Sequence, residues 1–286
     1  MTAGAKGDGD GWVEMPDGTR RWGRYGAAGL LLHAPDPRGG RCVLLQHRAA
    51  WTHQGGTWGL PGGALDSGES AVDAALREFG EEVAGELDAI EVTGVHRAGS
   101  SLWHYDTVLA SAPRAGEYAP GNAESEAVRW VRLEEVPGLP LLPAFGQTWP
   151  RLCAALPARL DLVVRAGPVL ERAGAAATPE RTAALRDALA GLARDGLPAA
   201  ELPRGLGLPA LDRWFPRVRL ETAVPVDPAP GVRIAAEGEH GADGGAGSAV
   251  LTVAGAGGPG TAPPEWLLER TGAPAPAPGS GQQVAL

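Results

Sequence analysis

Between Gly62 and Gly85 the chain reads GGALDSGESAVDAALREFGEEVAG, and no other stretch narrows its folding options as far. Ser70 followed by Asp73 is a capping box, which predicts a helix starting just after Ser70. Gly85 predicts a left-handed stop at the other end. Val72, Ala75, Leu76, Phe79 and Val83 recur at helical spacing and occupy about one third of the helical wheel. Glu78, Glu81 and Glu82 fall together on the flank of that stripe, and the single base nearby is Arg77. Like charges three or four positions apart repel by about 0.2–0.5 kcal/mol per pair. Such a helix is frustrated alone and relieved by a divalent cation such as Mg²⁺, whose hard shell takes grouped carboxylate oxygens. A solvated acidic helix face is the other reading that spacing leaves open.

The surrounding segments predict a mixed α/β domain. Asp17-Gly18 signals a hairpin turn in GWVEMPDGTRRWG. YGAAGLLLHA and RCVLLQHRA read as strands across a Pro/Gly loop, and IEVTGVHRA, LWHYDTVLAS and AVRWVRLEEV as three more. AFGQTWPRLCAAL predicts a closing helix, bent or begun at Pro150. Beyond residue 156, RLDLVVRAG is strand-like, and TPERTAALRDALAGLARDG predicts a helix with Thr178 as N-cap and Pro179 at its first position. FPRVRLETAV is a further candidate element. From Pro225 the chain becomes rich in Gly, Ala and Pro, with SAVLTVAG as its one clear strand. The expected organisation is a flexible N-terminus over 1–20, a catalytic domain over 21–156, a smaller, partly disordered α/β accessory domain over 157–255, and a low-complexity tail over 256–286.

Composition excludes several classes. The formal charge of −9 argues against a nucleic-acid scaffold, and residues 1–156 carry 20 acids against 13 bases. Cys42 and Cys153 lie too far apart in sequence to suggest a disulfide framework or zinc pattern. No apolar stretch suggests a signal peptide or a membrane span, so a soluble cytoplasmic protein is expected.

Gly63, then Glu69, then Arg77-Glu78-Phe79-Gly80-Glu81-Glu82 reproduces the spaced signature of the Nudix hydrolase family, and WGLPGG at Trp58 to Gly63 resembles the family's lead-in. The chain departs at one position, with Ala84 and then Gly85 where the family has its Gly one residue earlier. The resemblance covers roughly residues 24–150 and implies an α/β/α sandwich around a mixed sheet. It also implies hydrolysis of a diphosphate linked to another moiety, with Mg²⁺ or Mn²⁺ as cofactor. Carried onto this chain, it makes Glu78, Glu81 and Glu82 metal ligands and pairs Glu69 with Arg77 to fix the loop on the helix. Gly62 and Gly63 then permit close approach of the loop. The base comes either from Glu82 or Glu81 on the helix or from Glu124 in the late loop PGNAESEAVRW, with Glu126 behind it. Arg48 is a candidate phosphate contact. Trp58, with Trp51, Trp103 and Tyr105, is a candidate for stacking on a base, core packing being the alternative for each. His47 and His104 are near-site candidates.

The expected partner is a small nucleotide-type molecule: a nucleoside triphosphate, oxidised forms included, or an ADP-ribose-like compound. Neither nucleic acid nor membrane is expected, and a homodimer is compatible with the family. The alternative is a non-catalytic nucleotide-sensing or regulatory module on the same fold, although a pure sensor has no need of the repelling trio. Isoprenoid diphosphate isomerisation requires a dedicated Cys and Glu pair, for which Cys42 is poorly placed. The second half faintly resembles a degenerate PIN/NYN-like domain, with Arg165 where such domains carry a metal-binding Asp, and neither Asp161 nor Asp243 rebuilds that site.

Overall fold

The computed structural model describes residues 7–239, 247–254 and 258–272. Two compact units divide the chain: Met1–Leu156 with Pro209–Arg213, and Pro157–Leu208 with Trp214–Leu286.

The first unit opens on a hairpin of β1 (Trp12–Glu14) and β2 (Arg20–Trp22), closed at Asp17-Gly18 with Gly18 at φ +78°. Residues 7–20 are therefore not a flexible lead. Gly9 N donates to Asp66 at 2.9 Å and Ser67 N to Asp8 at 2.8 Å, tying the segment down; residues 1–6 lie outside the described residues.

The central strand is β3 (Ala27–Pro35), in which Leu30, Leu31 and Leu32 are fully buried, as a continuous apolar run covered on both faces requires. It is flanked by β4 (Arg41–Arg48) and β9 (His104–Ser111), with β11 (Ser125–Arg132) beyond β4 and β8 (Glu91–Gly99) beyond β9. The β3–β9 pair is parallel and the others antiparallel, giving the expected mixed sheet. β3 and β4 pair only over His33–Pro35 and Arg41–Val43. Elsewhere they take separate short partners: β6 (Gly62–Ala64) lies on β3 at Ala27–Gly29, and β5 (Trp58–Gly59) on β4 at Gln46–His47. The glycine-rich lead-in to the helix is thereby laid along the sheet.

Helix α1 (Ala71–Glu82) begins where the capping box placed it, with Ser70 Oγ accepting from Asp73 N. It packs on β3, β6 and β9, burying Ala74, Ala75, Phe79 and Glu82. The stop differs from expectation. Val83 is already extended and, with Ala84, forms β7 (Val83–Ala84) against β10 (Ala119–Pro120). Strand pairing captures the backbone before Gly85, which instead turns the chain at φ +135°, where a Cβ would lie 2.5 Å from Tyr118. Helix α2 (Pro143–Ala155) begins at Pro143, not Pro150. A proline at the first position has no helical N–H to lose, and Pro150 lies inside the helix.

The second unit is built on a five-stranded parallel sheet in the order β16-β15-β12-β17-β18, comprising β12 (Arg159–Arg165), β15 (Arg217–Glu221), β16 (Val232–Ala235), β17 (Ser248–Val253) and β18 (Thr261–Ala262). Two-residue strands β13 (Leu197–Pro198) and β14 (Arg213–Trp214) interrupt the sequence between them. Its helices are α3 (Ala166–Arg172), α4 (Pro179–Asp195) and α5 (Pro264–Thr271); Thr178 caps α4 as its sequence predicts. Strand β16 and helix α5 show that the chain stays structured past Pro225 within the described residues, so residues 258–272 do not belong to a featureless tail. At the end of β12, Arg165 pairs with Glu221 at 3.4 Å, and Asp161 is held by Arg217 at 2.8 Å. Asp243 and residues 273–286 lie outside the described residues.

Candidate active site

Glu82 is the last residue of α1 and is 5% exposed. Its Oε2 accepts from Gly62 N at 2.8 Å, so the helix end grips strand β6. Glu78, one turn back, lies against the same strand: a Cβ on Gly63 would come within 2.5 Å of its carboxylate. Gly62 is equally constrained, since a Cβ there would meet Ala28 O at 2.3 Å. Both glycines are needed for close approach of backbone to backbone and to carboxylate.

The electrostatics are unfavourable by design of the sequence. Three carboxylates occupy the C-terminal turns of α1, where the helix dipole already places negative charge, and the last turn holds no base. Burial pushes the Glu82 carboxyl up to about 7. The Gly62 N–H and the Arg48 guanidinium oppose that shift, while the charges of Glu78 and Glu124 add to it. Burial raises Glu78 too, against its bond from Arg77, with Glu81 and Asp10 adding negative charge. The charges of Arg48, Glu124 and Asp10 thus act on the Glu78–Glu82 pair.

Arg77 organises the loop beneath. Nε and Nη2 each bond Glu69 at 2.9 Å, Nη2 also reaches Ala64 O at 2.8 Å, and Nη1 reaches Glu78 Oε1 at 2.9 Å. The Arg77 hydrogen bonds hold Glu69 below its ordinary range. Glu81 is not buried with its neighbours. Its side chain is 58% exposed and meets Arg77 Nη1 at 3.5 Å, an exposed contact of little energy.

Tyr105 completes the floor. A Cβ on Gly29 would lie 2.1 Å from Tyr105 Oη and 3.0 Å from Pro61 O, so Gly29 makes room for the phenol beside the Gly62 strand. Burial and the Glu82 charge both raise the Tyr105 hydroxyl, which keeps it a neutral donor. The remaining sequence candidates are placed differently. Trp58 is buried at 8% exposure, with the His47 ring stacked on it at 4.7 Å and the Arg129 guanidinium 4.4 Å from its centre. It is packed between the sheet and these two neighbours. His47 Nδ1 pairs with Glu126 at 3.1 Å, and His104 Nε2 lies 3.6 Å from Asp106. Glu124 is exposed, its backbone fixed by Asn122 Oδ1 and Ala49 N.

A NUDIX domain family model matches residues 24–151. A putative 8-oxo-dGTP diphosphatase 3 of Mycobacterium tuberculosis is 50% identical over 163 residues, which is 55% of this chain and 74% of that protein. The chain belongs to the Nudix hydrolase family. A nucleoside triphosphate pyrophosphatase/Nudix hydrolase fusion protein of Bifidobacterium longum is 43% identical over 152 residues, 52% of this chain and 32% of that protein. Among solved structures, the Nudix hydrolase RenU of M. smegmatis is 47% identical, covering 51% of this chain and 93% of that one, with a TM-score of 0.48. As a Nudix hydrolase the chain acts on phosphoanhydride bonds.

The donor set suits the divalent cation that Nudix hydrolases generally use. Glu78 and Glu82 offer hard oxygen donors from one helix face, Glu82 buried and Glu78 partly so, and burial opposes the ionisation of both, which a dication would favour. Among the described residues, no three His, Cys, Asp or Glu side chains are already drawn together as a ligand cluster, Arg77 being interposed between Glu78 and Glu81.

Two features of this Nudix site were not among the sequence candidates, and only one of them left a signal. Asp10 sits in a glycine-rich lead with no periodicity, and only the tether to Asp66 and Ser67 carries it to Glu78. Gly29 did leave a signal: a glycine inside an apolar strand run marks a close approach.

Proposed function

We propose that this Nudix hydrolase is a Mg²⁺- or Mn²⁺-dependent pyrophosphohydrolase of nucleoside triphosphates, oxidised purine forms included. The observation that carries the reading is the buried Glu82 carboxyl, held by Gly62 N at 2.8 Å beside Glu78 on a glycine-lined strand. The M. tuberculosis and B. longum relatives, named for 8-oxo-dGTP and nucleoside triphosphate hydrolysis, support the substrate class.

Glu78, Glu81 and Glu82 would hold the cation, which when bound supplies charge neutralisation at the phosphates and acidifies water. Glu82 is one candidate to accept the proton of the attacking water, as a carboxylate fixed in place by Gly62 N. Glu124 is the second candidate for that proton. Arg48 binds a phosphate oxygen, and the neutral Tyr105 hydroxyl donates to Glu82 or to the same phosphate. Glu69 and Arg77 act through the Leu65–Glu69 loop, holding Gly63 against Glu78.

The test is phosphate and pyrophosphate release with Mg²⁺ from 8-oxo-dGTP, the ordinary dNTPs, ADP-ribose, NADH and dinucleoside polyphosphates, using wild type and Glu82→Gln. Turnover of triphosphates that the substitution abolishes is the expected result. Turnover of ADP-ribose alone would move the substrate class. Nucleotide binding without turnover, unchanged by Glu82→Gln, would favour the sensing module.

A further inference from the structure

Five large apolar side chains stand exposed among the described residues: Trp12, Trp22, Tyr25, Trp51 and Leu102. Although distant in sequence, they sit on segments that touch one another. The Trp12 and Trp22 rings meet edge to face at 5.3 Å, and Trp12 meets His53, two residues past Trp51, at 5.7 Å. Trp103, beside Leu102, donates from Nε1 to Trp22 O at 3.1 Å. An exposed aromatic surface of this kind marks a binding face. Its charge points to the ligand. The Arg20 guanidinium lies 5.1 Å from the centre of the Trp12 ring and that of Arg21 lies 5.9 Å from Trp103, in a segment, 12–25, with three arginines and two acids inside a chain of net charge −9. Half-exposed tryptophans carrying arginines suit the face of a nucleobase next to phosphate charge.

The surface is also linked to the carboxylates through hydrogen bonds, since Asp66 N donates to Glu69 and Arg77 bonds both Glu69 and Glu78. The Gly7–Gly11 root of the hairpin is bonded to Asp66 and Ser67, in the loop that opens α1. On the other side Arg48 Nε donates to His53 O at 3.2 Å, so the loop bearing Trp51 and His53 is held by the same arginine whose charge acts on Glu82.

We propose that the β1–β2 hairpin, together with Trp51 and His53, forms the base-binding wall of the active site, stacking the nucleobase while the phosphates reach the α1 carboxylates. The inference rests on the pyrophosphohydrolase reading and narrows it to substrates bearing an exposed aromatic base. A second copy of this chain would use the aromatic area but has no need of arginines poised over it.

The experiment is steady-state hydrolysis of 8-oxo-dGTP by the full chain, inhibition by inorganic tripolyphosphate, and sedimentation, for wild type, Trp12→Ala, Trp12→Tyr and Trp51→Ala. Loss of one stack raises KM by about 5- to 100-fold. That rise, with kcat and tripolyphosphate inhibition unchanged and Trp12→Tyr restoring most of it, is the expected outcome. Trp51 is 70% exposed, so its truncation should leave stability nearly unchanged, which the unfolding midpoint of the variant checks. Wild-type KM in both alanine variants overturns the wall and leaves the hydrolase reading standing. A change of oligomeric state at wild-type KM overturns it in favour of a contact between copies. Absence of both turnover and binding of 8-oxo-dGTP by wild type overturns the triphosphate reading and the wall with it.

Discussion

Replacing Glu82 with Gln should abolish activity and yet stabilise the chelated protein above neutral pH. The ordinary glutamate value is 4.5 and the folded value about 7, a gap worth about 3 kcal/mol at roughly 1.4 kcal/mol per pH unit. The sign follows from the direction. A carboxyl whose folded value is raised keeps its proton in the fold after the unfolded chain has released it, so its contribution is full below 4.5 and is lost as pH climbs through 7. Gln is neutral throughout, and its Oε1 can still accept from Gly62 N. Between pH 5 and pH 8 the stability of Glu82→Gln relative to wild type should therefore rise by about 2–3 kcal/mol, equivalent to roughly 5–10 °C in the first unit's Tm. The assay is thermal and urea unfolding of both proteins with EDTA at pH 5, 6, 7 and 8. Saturating Mg²⁺ should reverse the order at pH 8, because the cation binds the wild-type fold. A difference between the two proteins that is flat across this range would refute the argument from burial.

Three further outcomes follow from the same geometry. Metal binding must drive the proton off Glu82, so calorimetric titration of Mn²⁺ at pH 6.5 in buffers of different ionisation enthalpy should report release of most of one proton, falling towards none at pH 8. Arg77→Lys keeps the charge but loses the paired bonds to Glu69 and the bond to Ala64 O; it should cost about 1–3 kcal/mol and speed amide exchange in residues 65–69, with exchange elsewhere unchanged. Gly29→Ala should destabilise by about 1–3 kcal/mol, and Tyr105→Phe should return part of that loss by removing the Oη that a Cβ meets at 2.1 Å. Strictly additive effects in that double-mutant cycle would show that the two residues do not compete for the space.

Much of the local structure was legible because local rules set it. Ser70 and Asp73 start α1, Thr178 starts α4, Asp17-Gly18 closes the first hairpin, and the apolar run of Leu30–Leu32 becomes the buried centre of the sheet. The fixed spacing from Gly63 to Glu82 carries the family as well, since hard ligands on one helix face need that order of residues. Where α1 ends was decided elsewhere: Val83–Ala84 pair with Ala119–Pro120, a partner distant in sequence that no helix signal can register. Burial was decided the same way. Glu78, Glu81 and Glu82 are alike as letters, but β6 covers two of them and leaves Glu81 in solvent, so one helix turn carries both a carboxyl at about 7 and an exposed acid. Trp58 and Trp12 exchange roles for the same reason. His47 and Arg129 pack on the lead-in tryptophan, while the hairpin segment expected to be a flexible terminus is pinned at Asp66 and leaves Trp12 and Trp22 half-exposed. Residue type and spacing specify which groups can do the chemistry; proximity and desolvation, which depend on distant strands, decide which of them face it.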